Sequence, residues 1–244
     1  MSRSAVDLPA SEPPAIALLV IAKAPVPGLA KTRLAPAFGA DGAARLAAAA
    51  LGDTLTAVLR TPAARRFVVL AGAAPTVGTS WLPAGIEVVP QRGSGFDERL
   101  AAAFDDVHAS TGLPVLLIGM DTPQVSDRLL TAAVDTLLLP GTDAVLGTAA
   151  DGGWWALGLR RPDRSLLLGV PMSTSRTGRA QRTRLMGAGL SVRDLPTLRD
   201  VDTPADAVEV AALVPGSAFG LELARLGELD EMRDELAADG RVAS

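Results

Sequence analysis

Cysteine is absent from this 244-residue chain, and histidine occurs only once, at His108. Without cysteine the chain has no disulfide, no thiolate metal ligand and no cysteine nucleophile, which fits a reducing cytoplasm. A single histidine excludes a multi-histidine zinc site and disfavours a Ser-His-Asp triad. Aromatic residues make up only 3% of the chain and hydrophobic residues 48%, so we expect a core built mainly from Ala, Leu and Val.

The sequence also shows no apolar run of the length needed to span a bilayer, so no membrane partner is expected. Residues 1–14 are polar and contain proline, without the pattern of a signal peptide. We interpret 1–14 as a disordered lead-in and 15–244 as one domain. The net charge of −4 disfavours nucleic acid as the main partner, but local cations still permit a small anionic ligand.

Short apolar segments alternate along the chain with segments of helical periodicity. This alternation predicts an α/β fold, with a mainly parallel sheet covered by helices on both faces. In such sheets, ligands bind beyond the carboxyl ends of the strands. The predicted strands are Ala15–Ala22, Arg66–Ala71, Ile86–Val89, Pro114–Gly119, Asp143–Gly147, Trp154–Leu159 and Leu190–Leu195. The predicted helices are Gly39–Arg60, Phe96–Val107, Val125–Leu139, Thr177–Gly187, Thr203–Leu213 and Ala218–Ala238.

Three cations follow the first predicted strand, on a loop that also contains two prolines and Gly28. Lys23 and Lys31 supply point charges, and Arg33 supplies a planar fork that matches phosphate geometry. The spacing is not that of a Walker A loop. We predict a phosphate-binding loop whose cations are exposed and contribute little to folding. An ordinary solvated basic turn is the alternative.

Two Asp-Thr-Pro triplets, beginning at Asp121 and Asp202, follow predicted strands. A carboxylate at that edge of a sheet is well placed to hold Mg²⁺ against phosphates. Helix capping or turn formation by these aspartates, or by Thr203, explains the triplets equally well.

Two further motifs at strand ends carry weaker signals. Gly152 and Gly153 allow a close approach of the backbone to a ligand, and the next two residues are tryptophans, of which at least one is expected in the core. A hairpin turn is the alternative. Gln91 begins a polar segment that is a candidate contact for a base or a phosphate.

Together these motifs resemble the DUF2064 family, whose members are described as glycosyltransferase-like and close to the 2-phospholactate guanylyltransferases. The resemblance extends over residues 15 to 210. The segments that carry it are Ala22–Leu34, Gln91–Arg99, Gly119–Pro123, Asp151–Trp155, Pro171–Thr174 and Arg199–Pro204. This chain departs from the family pattern at Asp97, where glycine is usual, and at Trp154 and Trp155, where tyrosines are usual.

The resemblance implies a GT-A-like Rossmannoid fold in which the loop after the first strand holds nucleotide phosphates. Lys23, Lys31 and Arg33 would then be phosphate ligands, Asp121 would hold Mg²⁺, and Asp202 would be a second metal ligand.

We therefore expect a Mg²⁺-dependent transferase that uses a nucleoside triphosphate or a nucleotide-sugar and a small-molecule acceptor. Nucleotidyl transfer is favoured, with Lys31 and Asp121 as catalytic residues. Glycosyl transfer and non-catalytic nucleotide binding on the same fold are the alternatives. A dinucleotide-dependent oxidoreductase is disfavoured because no Gly-x-Gly-x-x-Gly follows the first strand.

Overall fold

The computed structural model describes residues 12–72 and 82–229. Seven strands in these residues form one sheet in the order β3-β2-β1-β4-β6-β5-β7. Every neighbouring pair is parallel except the two pairs that contain β6. The strands are β1 (Ala17–Lys23), β2 (Arg65–Ala71), β3 (Glu87–Pro90), β4 (Val115–Gly119), β5 (Ala144–Ala149), β6 (Trp154–Leu159) and β7 (Val192–Leu198).

Helices cover both faces of the sheet, because alternate residues of each central strand point to opposite faces. Leu18 and Val20 of β1 pack on one face with α1 and α3, whereas Leu19 and Ile21 pack on the other with α2 and α4. The helices are α1 (Ala35–Arg60), α2 (Phe96–Thr111), α3 (Asp127–Leu138), α4 (Thr177–Gly187) and α5 (Pro204–Leu213). The predicted α/β fold with a mainly parallel sheet is therefore confirmed.

Strand β6 is antiparallel to both of its neighbours, a feature that the sequence patterns did not specify. Only residues 150–153 connect β5 to β6. A parallel crossover needs about a dozen residues or more, so this short connection forces a hairpin. As a result the start of β6, rather than its end, lies at the edge where the parallel strands end.

Helix α1 is long and apolar enough to satisfy the length and hydropathy criteria for a membrane span, contrary to the expectation from the sequence. However, 61% of its apolar window is buried inside the fold. Its residues Leu51 and Leu55 are fully or almost fully covered against the sheet. Its composition is thus that of a core helix. The regular part of the helix starts only after Gly39, where φ is +71°.

The far end of the chain forms a smaller third core. Helix α5 and the helical segment 218–229 pack there against the first half of α1, around Leu46, Val210 and Phe219. Most of the proposed lead-in, and the predicted end of the last helix, lie outside the described residues. The domain boundary at residue 15 stays a prediction.

Candidate functional site

A cleft of about 790 Å³ lies at the carboxyl edge of the parallel strands, where the α/β fold places ligands. Segments that follow β1, β3 and β4 line it, together with the hairpin turn before β6 and the segments before α4 and α5. All the candidate site residues except Gly28 and Gly152 lie in its lining, namely Lys23, Lys31, Arg33, Gln91, Asp121, Gly153 and Asp202.

The centre of this cleft edge is the ammonium group of Lys31. Its Nζ lies 2.9 Å from Oδ1 of Asp121 and 2.9 Å from Oδ1 of Asp202. The Lys31 side chain is only 11% exposed, whereas the two carboxylates are 38% exposed. Lys31 also has a φ of +47°, a backbone conformation that is uncommon for a side-chain-bearing residue and that often marks functional loops. Three groups distant in sequence thus meet at one point.

A backbone hydrogen bond brings the two Asp-Thr-Pro triplets together. The N–H of Val201 donates to the carbonyl oxygen of Asp121 at 2.9 Å, so the residue before Asp202 is bound directly to the segment that follows β4. Strand β4 pairs with β1, which delivers the Lys31 loop to the same edge. The convergence therefore follows from strand order.

Helix capping does not occupy either aspartate. The N-cap of α3 is Ser126, whose hydroxyl accepts from the N–H of Leu129 at 3.2 Å. The N-cap of α5 is Thr203, which exchanges hydrogen bonds with Asp206. The carboxylates of Asp121 and Asp202 line the cleft and cap neither helix, whereas the alternative that Thr203 is an N-cap is confirmed.

Burial and charge act in opposite directions on Lys31. Burial alone would lower the pKa of its ammonium, but the adjacent carboxylates of Asp121 and Asp202 more than compensate, so the pKa is raised above the ordinary lysine value. Lys31 is therefore a fixed cation at any physiological pH. Its charge is available to phosphate only when it moves away from, or is shared with, the carboxylates.

Asp200 is a further carboxylate at this edge, to which the sequence motifs assign no role. Its pKa is raised to about 7, first by burial and then by the nearby charges of Asp151, Asp121 and Asp202, against the opposing effect of Lys31. Its Oδ1 is buried without a hydrogen-bond partner among the described residues. The Asp-x-Asp spacing before α5 was visible in the sequence, but the burial of its first member was not.

The other cations of the loop are more open. Arg33 is 75% exposed and its Nη1 lies 3.5 Å from Oδ2 of Asp202, which is a loose contact. Lys23 is exposed and makes no ion pair with any residue in the described ranges. Gly28 adopts a φ of +75° in the turn between them, with no atom close to where a side chain would lie. It shapes the loop but is not part of the cleft lining.

Gln91 is held in place by the sheet itself. Its Nε2 donates to the carbonyl oxygens of Ala22 at 2.8 Å and Val69 at 3.1 Å, which joins the ends of β1 and β2. Its side chain therefore has a structural function at the cleft wall. Arg99 supports the next turn by donating to the carbonyl oxygens of Gly93 and Ser94.

Contacts within the chain require glycine at position 152. A side chain at Gly152, where φ is +90°, would overlap the carbonyl oxygen of Ser175. The N–H of Gly178 donates to the carbonyl oxygen of Gly152 at 2.9 Å, and Gly153 lines the cleft. The hairpin tip therefore packs tightly on the start of α4, which gives Gly152 a structural reason independent of any ligand.

The two tryptophans have different environments, as alternation along a strand requires. Trp155 is 1% exposed and its Nε1 donates to the carbonyl oxygen of Pro196 at 2.9 Å, so it belongs to the core. Trp154 is partly exposed and contributes to the cleft wall beside Met172.

Asp97, where the family pattern has glycine, connects two segments near the cleft. Its Oδ2 accepts from the N–H of Gly169 at 2.9 Å, which lowers the pKa of this exposed carboxyl and attaches the segment before α4 to the start of α2. His108 lies near the end of α2, and its Nδ1 is 2.7 Å from the carbonyl oxygen of Leu113, so it is remote from the cleft lining.

A divalent cation would find two carboxylates here. Within residues 12–72 and 82–229, no group of three or more acidic or histidine side chains has the geometry of a closed metal site. Mg²⁺ does not need one, because it commonly takes one or two carboxylates and completes its shell with waters and phosphates. The oxygen-only pair Asp121 and Asp202 fits that requirement.

Comparison with solved structures defines the class of fold. The chain matches a crystal structure from Desulfovibrio desulfuricans G20, described provisionally as a nucleotide-diphospho-sugar transferase, at 25% identity and a TM-score of 0.80. The match covers 89% of this chain and 97% of that one. The chain also shares its fold with Rv0371c from Mycobacterium tuberculosis H37Rv, which was solved in complex with manganese. The identity is 23% and the TM-score 0.51, and the match covers 80% of this chain and 97% of that one.

A third structural match is CMP:2-keto-3-deoxy-manno-octonic acid synthetase in complex with CTP. It is 16% identical, with a TM-score of 0.53 and coverage of 81% of this chain and 97% of that one. The architecture is thus that of the nucleotide-diphospho-sugar transferases and nucleotidyltransferases.

The sequence profile of the family described as "Uncharacterized protein conserved in bacteria (DUF2064)" matches residues 54–174. This match, which covers just under half of the chain, agrees with the resemblance drawn from its motifs. The Lys31 loop and Asp202 lie outside the matched residues. None of the curated proteins matches the chain.

Proposed function

We propose that this protein is a nucleotidyltransferase that binds a nucleoside triphosphate in the cleft and transfers its nucleotidyl group to a small-molecule acceptor. The observation that carries the proposal is the convergence of Lys31 with Asp121 and Asp202 at the carboxyl edge of the sheet. A cation and two carboxylates at one point are the groups that a magnesium-triphosphate requires.

In this proposal the residues act mainly by positioning and by charge. An acceptor oxygen attacks the α-phosphorus in line, and pyrophosphate leaves. Lys31 and Arg33 neutralise the charge that builds up on the phosphate oxygens, and Lys23 contributes a further positive charge at the entrance. A bound Mg²⁺, held by Asp121 and Asp202, would supply additional neutralisation of the triphosphate.

The wall opposite the phosphate loop is our candidate for the acceptor side. It consists of Trp154, Met172 and the start of α2 at Phe96, whose side chain is 44% exposed. These groups offer apolar surface, with Ser173 and Thr174 as polar neighbours.

A cytoplasmic location is also part of the proposal.

Glycosyl transfer is the second candidate, since the Desulfovibrio desulfuricans protein is described as a nucleotide-diphospho-sugar transferase. The same carboxylates and cations would then stabilise a nucleoside diphosphate leaving group.

A ligand screen followed by product analysis tests the proposal. The protein is first screened by thermal shift against the common nucleoside triphosphates and nucleotide-sugars, with and without Mg²⁺, because a ligand that binds the native state raises its apparent stability. Ligands that bind are then incubated with candidate acceptors. Release of pyrophosphate supports nucleotidyl transfer, and release of a nucleoside diphosphate supports glycosyl transfer. Mg²⁺-dependent binding without turnover supports a non-catalytic binding protein, and no stabilisation by any nucleotide would contradict the proposal.

A further inference from the structure

Lysine is rare in this protein and is concentrated at the cleft. The chain contains 23 lysine and arginine residues, and only Lys23 and Lys31 are lysines. Both belong to the segment that runs from the end of β1 towards α1. Lysine differs from arginine in presenting a compact point charge on a flexible stem, so it can exchange partners without the geometric demands of a guanidinium fork.

We propose that the ammonium group of Lys31 takes the place of the divalent cation in the ligand-free protein. Incoming triphosphate would then draw Lys31 away from Asp121 and Asp202 and open these carboxylates to the metal. The inference rests on the proposed function and adds an order of binding to it. The metal binds with the triphosphate or after it, and binds weakly alone.

The geometry makes the two cations competitors. Lys31 Nζ lies 2.9 Å from one oxygen of each carboxylate. A Mg²⁺ ion on the same two oxygens, with bonds of about 2.1 Å, would lie no more than about 5 Å from the ammonium nitrogen. Two positive centres at that separation repel each other strongly in a partly buried site. Each cation therefore weakens the binding of the other to the carboxylates.

Among the described residues, only Lys31 has this relation to the carboxylates. Arg33 contacts Asp202 alone, at 3.5 Å, and its side chain is 75% exposed. Lys31 is 11% exposed and contacts both. Triphosphate is the ligand that can replace them, because its oxygens also carry negative charge and accept hydrogen bonds from an ammonium group.

Calorimetric titration of the nucleotide-free protein with Mn²⁺ tests the competition directly. We expect Lys31→Met, which keeps the apolar stem and removes the charge, to bind Mn²⁺ at least about tenfold more tightly than the wild type. Arg128→Met is the control, since Arg128 is an exposed cation outside the cleft lining with no ion pair among the described residues, and its Mn²⁺ affinity should stay within about twofold of the wild type. Equal Mn²⁺ affinity in the wild type and Lys31→Met would overturn the inference.

Lysine-selective NMR provides a second test on the unmodified protein, which does not depend on whether Lys31→Met folds. With ¹³C,¹⁵N-lysine labelling only two Cε signals are expected, one from each lysine, and these are the signals followed. Inorganic tripolyphosphate should shift the Lys31 signal, and Mg²⁺ alone at an equal concentration should leave it unchanged. A Lys31 signal that moves fully with Mg²⁺ alone would contradict the proposed order.

The two levels of proposal fail in different ways. If nucleotides bind with Mg²⁺ but Lys31→Met does not change the affinity for Mn²⁺ alone, the competition is wrong and the nucleotidyltransferase proposal stands. If no nucleotide binds under any condition, the proposed function is wrong. The tighter binding of Mn²⁺ by Lys31→Met would then still establish the competition.

Discussion

Lys31 shows how far the chemistry of a single residue depends on its surroundings. Its sequence context predicted an exposed loop cation, but the structure buries it between Asp121 and Asp202. The expectation that this residue is exposed is therefore wrong, and we now expect it to contribute to folding. Its removal leaves two carboxylates close together without their counter-ion, whereas removal of the exposed Arg33 disturbs little.

The first prediction separates these two cations. Arg33→Ala should weaken triphosphate binding by roughly 1.5–3 kcal/mol, as expected for a charged hydrogen bond, and should change the free energy of unfolding by less than about 0.5 kcal/mol. Lys31→Ala should weaken binding at least as much, and should also destabilise the protein by roughly 1–3 kcal/mol, between the values for exposed and buried ion pairs. Calorimetry and urea denaturation measure the two effects. A Lys31→Ala protein with wild-type stability would contradict the buried pair.

Asp200 gives the second prediction at the residue scale. Its pKa is about 7 in the folded protein, against an ordinary value near 3.8 in the unfolded chain. Between about pH 4 and pH 7 the folded state therefore holds a proton that the unfolded state has lost, so the free energy of unfolding falls as pH rises through this window. Above about pH 7 Asp200 is ionised in both the folded and the unfolded state, so the full cost of burying its charge lowers the free energy of unfolding.

Asp200→Asn removes that penalty. In a chelator-containing buffer at pH 8, we expect the variant to be more stable than the wild type, by on the order of 2–4 kcal/mol. The difference should shrink steadily as the pH is lowered to 4. Urea denaturation as a function of pH measures it, and a difference that does not depend on pH would show that Asp200 titrates normally.

At the scale of the element, the length of a connection determines strand direction, which the apolar pattern of a strand does not. The apolar runs of β1, β2, β4 and β5 were visible in the sequence, and their bounds differ from the predicted ones by no more than two residues at either end. The direction of β6 was not visible, since periodicity is the same in parallel and antiparallel strands. It follows from the four-residue connection 150–153.

Capping residues explain another difference between pattern and structure. An Asp before Thr-Pro is a good turn or capping residue, so the sequence left the roles of Asp121 and Asp202 open. The caps are in fact Ser126 and Thr203. Only the three-dimensional path of each segment shows that the aspartates are available for another function.

The third prediction tests the packing of the hairpin tip on α4. Gly152→Ala combines a left-handed φ of +90° with an overlap on the carbonyl oxygen of Ser175. Gly141→Ala is the control, because its φ is +75° and no atom lies near the new methyl group. We expect the control to lose about 1 kcal/mol of stability and Gly152→Ala to lose at least about 2 kcal/mol more. Equal losses, by urea denaturation, would mean that the tip moves away from α4 at little cost.

At the scale of the whole molecule, the sheet brings together residues that are far apart in the chain. Lys31, Asp121 and Asp202 are separated by up to 171 positions, and strand order places them within hydrogen-bonding distance. That these segments share one edge was predictable, because parallel strands present their carboxyl ends together. The burial of Lys31 and Asp200 was not, because burial depends on side chains contributed by every surrounding segment.

The fourth prediction addresses this assembled site. Asp121→Asn should abolish the Mg²⁺-dependent part of nucleotide stabilisation in a thermal-shift assay, because the amide is a neutral and weaker ligand. The surface variant Asp135→Asn, on the exposed side of α3, should behave like the wild type. Unchanged Mg²⁺-dependent stabilisation in Asp121→Asn would remove Asp121 from the proposed metal site.

The position of Lys31 between two carboxylates also has a consequence for amine chemistry. Acylating reagents react with the neutral amine, and the raised pKa of Lys31 keeps its amine protonated, while the side chain is 11% exposed. Lys23 is exposed at the same cleft and is the only other lysine. An acylating probe should therefore modify Lys23 before Lys31, which allows a fluorophore to be attached at the entrance of the cleft while the inner cation stays intact.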